Sequence, residues 1–244
     1  MSLRATGAVA VRVLTQLRRD PRTLALVVGV PCLLETLLKE LFIGRSQVFQ
    51  HVGAPLLGLF PFVTMFLVTS ITMLRERVSG TLERLMALPL GKLDLLVGYG
   101  AAFAVLAAVQ AAIVSALAFG LLGLDVQGPR WIVAALAISN AVLGSALGLC
   151  VSAFAQTEFQ AVQFMPAMVF PQILLCGLFV SRDAMATWLR WLSDALPLTY
   201  AYDALAHTAA DSLDARFAAD VAVVVGGVAL ALALGAATLR RRTP

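Results

Sequence analysis

The sequence has 244 residues, 60% of them hydrophobic and 13% charged, with a mean hydropathy of +0.90 and a net charge of +4. Soluble domains carry roughly 25% charged residues, so a water-soluble enzyme is excluded and lipid is the expected solvent. Cys32, Cys150 and Cys176 all lie inside apolar runs, without the spacing of a disulfide framework or a metal site.

The first 23 residues hold Arg4, Arg12, Arg18, Arg19 and Arg22 and are expected to remain uncleaved, being too long for a signal-peptide n-region. Val9, Val11, Val13, Leu14 and Leu17 alternate with polar residues there, which predicts a helix lying along the inner membrane surface. Asp20-Pro21 then turns the chain into the first of six span-length apolar runs. These cover approximately 24–44, 54–74, 93–122, 131–154, 161–180 and 219–239. A bilayer-crossing helix needs about 20 mostly apolar residues, and no short alternating strands of a barrel occur. The predicted fold is all-α: one membrane domain over residues 1–244, polytopic, with six transmembrane helices.

With six spans, both ends share one side. The segments on that side carry twelve Lys and Arg residues, and the opposite segments five: Arg45, Arg130, Arg182, Arg190 and Arg216. The positive-inside rule therefore places both termini in the cytoplasm. The positive charge serves anchoring to the membrane, not nucleic-acid binding.

Within the first run, Glu35, Lys39 and Glu40 are costly in hydrocarbon, roughly 2.5 to 3.5 kcal/mol each near mid-membrane. Glu35 and Lys39 stand four residues apart, which allows an ion pair near the outer end of the span; a place in a substrate path is the other reading. The second run leads into Arg75-Glu76-Arg77-Val78-Ser79-Gly80-Thr81-Leu82-Glu83-Arg84-Leu85-Met86-Ala87-Leu88-Pro89. Gly80 permits a tight bend, Thr81 can cap, Glu83 suits a helix start and Pro89 ends the segment. A short helix over 82–88 follows, with Leu82, Leu85 and Met86 on one stripe. That stripe suits a partner's groove, or packing on the chain's own membrane domain.

Further along, Gly144 and Gly148 form a small-xxx-small pair suited to close helix packing. Pro166 and Pro171 predict a kink in the fifth run. Gln110, Asn140, Gln163 and Gln172 can hydrogen-bond between helices or line a polar route. In the outer segment, 181–218, Trp188, Leu189, Trp191, Leu192 and Leu196 can face the membrane while Arg182, Asp183, Arg190 and Asp194 stay wet.

The run Arg-Glu-Arg, two residues, Gly-Thr-Leu-Glu and a following Pro resembles the inner-loop signature of type-2 ABC transporter permeases. The Gly-Leu-Phe turn at 177–179 and Leu196-Pro197-Leu198-Thr199 with Asp203 resemble that family's outer motif. The resemblance implies short re-entrant outer helices, in which Trp188, Trp191, Pro197 and Thr199 belong to the outer interface. It also implies that the cytoplasmic loop, residues 75–92, forms a coupling helix that rests on a nucleotide-binding subunit, with the carry-over falling on Glu76, Arg77, Gly80, Thr81, Leu82 and Glu83, and with Leu85 and Met86 on its docking stripe. Where family members often carry an arginine after Asp-Ala-Leu, this chain has Ala206 and His207.

No phosphate-cradling loop is present, since Gly91-Lys92 is followed by Leu93. This chain is therefore expected to bind no cofactor and to be no ATPase itself, ATP and Mg belonging to a separate ATPase subunit. The other implied partners are a second permease, identical or homologous, and membrane lipid. The implied activity is export of an amphiphilic drug, lipid or glycan-type substrate across the cell membrane, with Glu35, Lys39, Glu40, Gln163 and Gln172 as candidates for the path. The rival classes, an ion-coupled transporter or channel and a membrane-embedded enzyme, lack paired broken helices and His-Glu-x-x-His or Gly-x-Ser-x-Gly elements.

Overall fold

In the computed structural model, which describes residues 2–86, 91–210 and 215–238, helices occupy most of the chain and no strand occurs among the described residues. The first helix, α1 (Leu3–Arg18), ends at Arg19. Asp20 caps the next, its carboxylate accepting from the Thr23 amide at 3.2 Å and the Thr23 hydroxyl at 2.6 Å, while Pro21 takes the first helical position. That helix is α2 (Pro21–Leu41), followed by α3 (Ser46–Val78) and the six-residue α4 (Thr81–Met86). The remaining helices are α5 (Lys92–Gly120), α6 (Arg130–Val151), α7 (Glu158–Leu175), α8 (Thr187–Asp194), α9 (Pro197–Ala209) and α10 (Ala215–Thr238), with a 3-10 turn at Arg182–Ala184.

Four of these are long and apolar enough to cross a membrane by length and composition: α3, α5 from Asp94, α6, and α10 over Arg216–Gly235. The helices α2 and α7 coincide with the first and fifth apolar runs and are more polar, holding Glu35, Lys39 and Glu40 in one and Gln160, Gln163 and Gln172 in the other. At 33 residues, α3 is about 50 Å long, well beyond a hydrocarbon core of about 30 Å. Its length thus exceeds what a single crossing of the hydrocarbon core requires.

The bundle is organised around α3, which packs against α2, α5, α6, α7 and α9. Its closest neighbour is α6. A Cβ on Gly144 would strike the backbone carbonyl of Phe62, and one on Gly148 would lie 2.5 Å from that of Phe66. Phe62 and Phe66 are fully buried in that seam. Small residues here let backbone meet backbone, the main source of helix association where lipid removes the hydrophobic drive.

The apolar stripe of the N-terminal helix is covered by the protein itself. Val9, Val13 and Leu17 are buried, and α1 packs on α5 where Gly98 leaves room for Val9 and the Thr6 carbonyl. Asp94 fixes the contact, accepting from the Ser2 amide at 2.8 Å. The face assigned to lipid is thus largely taken up by the protein, with Leu3 and Val11 left exposed. The alternation of the α1 sequence shows an apolar face but not what covers it.

Adding a methyl group at the α3–α6 seam is expected to destabilise the fold. Gly148→Ala pushes on backbone rather than on a yielding side chain, so a loss of about 1–3 kcal/mol is expected, read as a lower thermal unfolding midpoint in detergent. Gly226→Ala, inside α10 where a Cβ meets nothing within 4 Å, should keep the midpoint or raise it, since alanine is favoured over glycine in a helix by up to about 1 kcal/mol.

Candidate functional site

At the C-terminal end of α3 a buried carboxylate gathers three elements. Glu76, 8% exposed, accepts from Arg12 of α1 at 3.2 Å and from the Gln16 amide at 3.1 Å. Arg12 also donates to the hydroxyl of Tyr99 on α5, which is fully buried, at 3.2 Å. Glu76 is thereby satisfied by charge-assisted bonds rather than left buried alone. Arg75, next to it, makes a bidentate pair with Glu158 of α7 at 2.8 and 3.1 Å, but both side chains are more than half exposed and the pair contributes little. A cleft of about 340 Å³ opens between α1 and this corner, lined by Gln16, Asp20, Thr72, Arg75, Glu76 and Tyr99 among others.

The chain then reverses. Ser79 ends α3, and Gly80 adopts φ +71°, a left-handed conformation that favours glycine. The hydroxyls of Ser79 and Thr81 lie 2.9 Å apart. The short helix α4 turns Leu82, 3% exposed, into the chain's own core, with Leu85 half-buried against the same cluster. The outward surface of the corner instead presents Val78, 71% exposed, Ser79 and Arg84. Arg77 is partly buried, its Nε without a hydrogen-bond partner. The side chains of Glu83 and Met86, and the whole of Pro89, lie outside the described residues.

The outer segment is held by a second polar cluster. Pro197 occupies the first position of α9, and Thr199, fully buried, donates to the Ser193 carbonyl at 2.8 Å, while Ser193 donates to that of Leu175 at 2.8 Å. Arg182 donates to Asp203 at 2.7 Å and also bonds Asp194. Burial pushes the Asp203 carboxyl above its usual range, and Arg182 opposes that shift. Gly177, at φ +107°, turns the chain from α7 into this segment. On α8, Trp188 and Trp191 are 65% and 71% exposed. Beside these helices lies a vestibule of about 750 Å³, which brings together both histidines of the chain, His51 and His207, with Arg182, Asp203 and Asp220.

The family model for the ABC-2 type transporter matches residues 4–209, from α1 to the end of α9, and so takes in both polar clusters. The chain belongs to the ABC-2 type transporter family. It is similar to ABC transporter G family member 20 of Dictyostelium discoideum, 25% identical over 161 residues that make up 66% of this chain and 22% of that protein. It is also similar to the probable multidrug ABC transporter permease YbhR of Escherichia coli K12, 27% identical over 151 residues, 61% of this chain and 40% of that one. The matched stretch thus spans less than half the length of either relative.

The permease keeps its intramembrane polar candidates apart. On α2, Glu35 and Lys39 form no ion pair: Lys39 donates to the Leu122 carbonyl, whereas Glu35 is fully buried and both its oxygens lack a partner. Glu40 is exposed. On α7, Gln163 is exposed beside a groove of about 440 Å³, and buried Gln172 donates to the Met168 carbonyl at 2.9 Å. Four spacing in α2 put Glu35 and Lys39 within reach of each other, but the loop carbonyl at Leu122 competes for the ammonium.

Tyr99, Arg12, Gln16 and Glu158 complete the Glu76 corner and carry no local motif. Glu76→Ala is expected to leave Arg12 and the Tyr99 hydroxyl without their acceptor, lowering stability by about 1–3 kcal/mol in thermal unfolding. Arg75→Ala, which removes an exposed pair, should stay within about 0.5 kcal/mol of the parent.

Proposed function

We propose that this chain is the membrane-spanning permease of an ATP-driven exporter, working with a separate ATPase subunit that binds ATP and Mg and with a second permease, identical or homologous. Support comes from membership of the ABC-2 type transporter family, from a sequence without a phosphate-cradling loop, and from the braced inner corner. In this reading α2, α3, α5, α6, α7 and α10 make six spans, with both termini cytoplasmic in the cell membrane. The substrate is an amphiphilic drug, lipid or glycan-type molecule, a class consistent with the word multidrug in the name of one relative.

The single observation that carries the reading is the corner at Gly80. A helix of six residues is too short to be stable alone, yet α4 is anchored inward by Leu82 while Glu76 ties the preceding turn to α1 and α5. A load on its outer face therefore passes into three helices rather than deforming a loop. The ATPase contact is formed by Val78 and Arg84 with Glu83, Leu85 and Met86 about them; Arg77, Gly80 and Thr81 shape the turn. In the outer segment Trp188 and Trp191 seat α8 at headgroup depth.

Val78→Asp combined with Arg84→Glu should break this contact without disturbing the core. The variant is expected to insert normally and keep its melting temperature, while recovery of the ATPase in copurification falls about 30-fold, the equivalent of a hot spot of 2 kcal/mol. Normal copurification and export by this variant would remove α4 from the coupling role. Orientation is checked separately: Arg190→Cys is expected to react with an impermeant thiol reagent in intact cells and Arg84→Cys only after permeabilisation.

A further inference from the structure

The helices α2 and α5 run side by side in the same direction at a fixed register. Gln110 Nε2 donates to the Val27 carbonyl at 2.8 Å, Lys39 Nζ donates to that of Leu122, and each pair is 83 residues apart. The lower rung has a cause in the sequence: Pro31 has no N–H to offer Val27 four residues before it, and the buried Gln110 supplies the missing donor. By the same register Glu35 lies level with Ala118, between the two rungs. The third helix of the seam, α3, is tied to both levels, through Thr64 accepting from Gln110 at 2.5 Å and Gln50 donating to the Gly123 carbonyl at 3.2 Å.

Glu35 belongs to the buried stripe of α2 with Val27 and Pro31. It is fully buried and neither carboxyl oxygen has a hydrogen-bond partner. Charged neighbours do not compensate. On α2 itself Lys39 is engaged at Leu122, Cys32 is a half-buried thiol, and Arg22 and Glu40 are exposed at the two ends of the helix. In α5 no ionisable residue follows Tyr99, in α3 none lies between His51 and Arg75, and the arginines of α1 belong to the opposite end of α2. A carboxylate in this position would be a buried, unpaired charge, which is strongly unfavourable, whereas the neutral acid is tolerable.

We propose that Glu35 is a proton-binding site of the permease, holding its proton while α2 and α5 are packed and releasing it when the seam between them opens. On opening, the carboxyl O–H breaks, the proton passes to water admitted into the seam, and the carboxylate left behind is hydrated. Closing reverses this. Packing therefore takes up a proton, so the packed form is favoured at acidic pH and loses that advantage as pH rises. Any step of a transport cycle that separates α2 from α5 moves a proton with it. The inference concerns these three helices and does not depend on what is exported.

The test uses the full chain, purified in lipid nanodiscs without ATPase or substrate, so that its outcome stands apart from that of the exporter reading. Near neutral pH the infrared spectrum should contain a protonated-carboxyl stretch that Glu35→Gln removes and Glu35→Asp, which keeps the acid, shifts. Hydrogen exchange of the α2 and α5 amides, taken as the ratio of parent to Glu35→Gln at each pH, should be near one at acidic pH and rise up to about tenfold per pH unit once the acid dissociates. Absence of the band at neutral pH, or a ratio that stays flat, overturns the proposal. Should Glu35→Gln fail to fold, the band in the parent and its shift in Glu35→Asp decide the matter by themselves.

Discussion

Backbone contact between α3 and α6 is the constraint on which the other helices depend. In lipid, two apolar helices gain nothing from hiding leucines from one another, because the tails are as apolar as leucine. What they gain is close dispersion contact, and only small residues permit it. Gly144 and Gly148 lay one helix directly on the Phe62–Phe66 backbone of the other. The same device recurs where Gly58 of α3 admits Leu205 of α9 and where Gly98 of α5 admits α1. Once these approaches are set, the remaining helices have little freedom in where they sit.

Proline supplies the second theme. Each proline inside a helix leaves the carbonyl four residues earlier without its donor, a serious loss away from water. At Pro31 the repair comes from another helix, through Gln110, so a break in α2 becomes a tie to α5. Gln110 also reaches Thr64, and one amide thus joins three helices. A polar residue of this kind is a structural tie, whereas Glu35, two helical turns or about 12 Å further along the same seam, is given no partner at all. The contrast between a repaired carbonyl and an unrepaired carboxyl is what sets Glu35 apart.

Much of this was legible in the sequence. Length and apolarity placed the long helices, since a run of twenty apolar residues has few alternatives, and the turn at Gly80 with a short helix after it followed from local backbone chemistry. Small residues at 144 and 148 announced close packing. What was not legible was always a matter of partners. The stripe Leu82, Leu85 and Met86 fits a foreign groove or the chain's own core, and only the fold turns Leu82 inward. Lys39 had two acceptors within reach, one local and one 83 residues away, and periodicity sees only the local one. Glu76 stood out by its motif, but Arg12, Gln16 and Tyr99 did not, because their meeting point is created by α1 docking on α5.

The two polar clusters lie at opposite ends of one helix. Glu76 stands in the last turn of α3 and His51 near its first, where it lines the vestibule. Between them α3 is pinned by α6 through backbone contact, by α5 through Thr64, and by α9 through Gly58. These contacts hold α3 along its length, across the breaks that Pro55 and Pro61 make in its own hydrogen-bond ladder. The helix α2 is different: it is tied at Val27 and at Lys39, with an unpartnered acid between the ties. The seam beside α2 thus combines two cross-helix ties with a buried acid that neither tie satisfies.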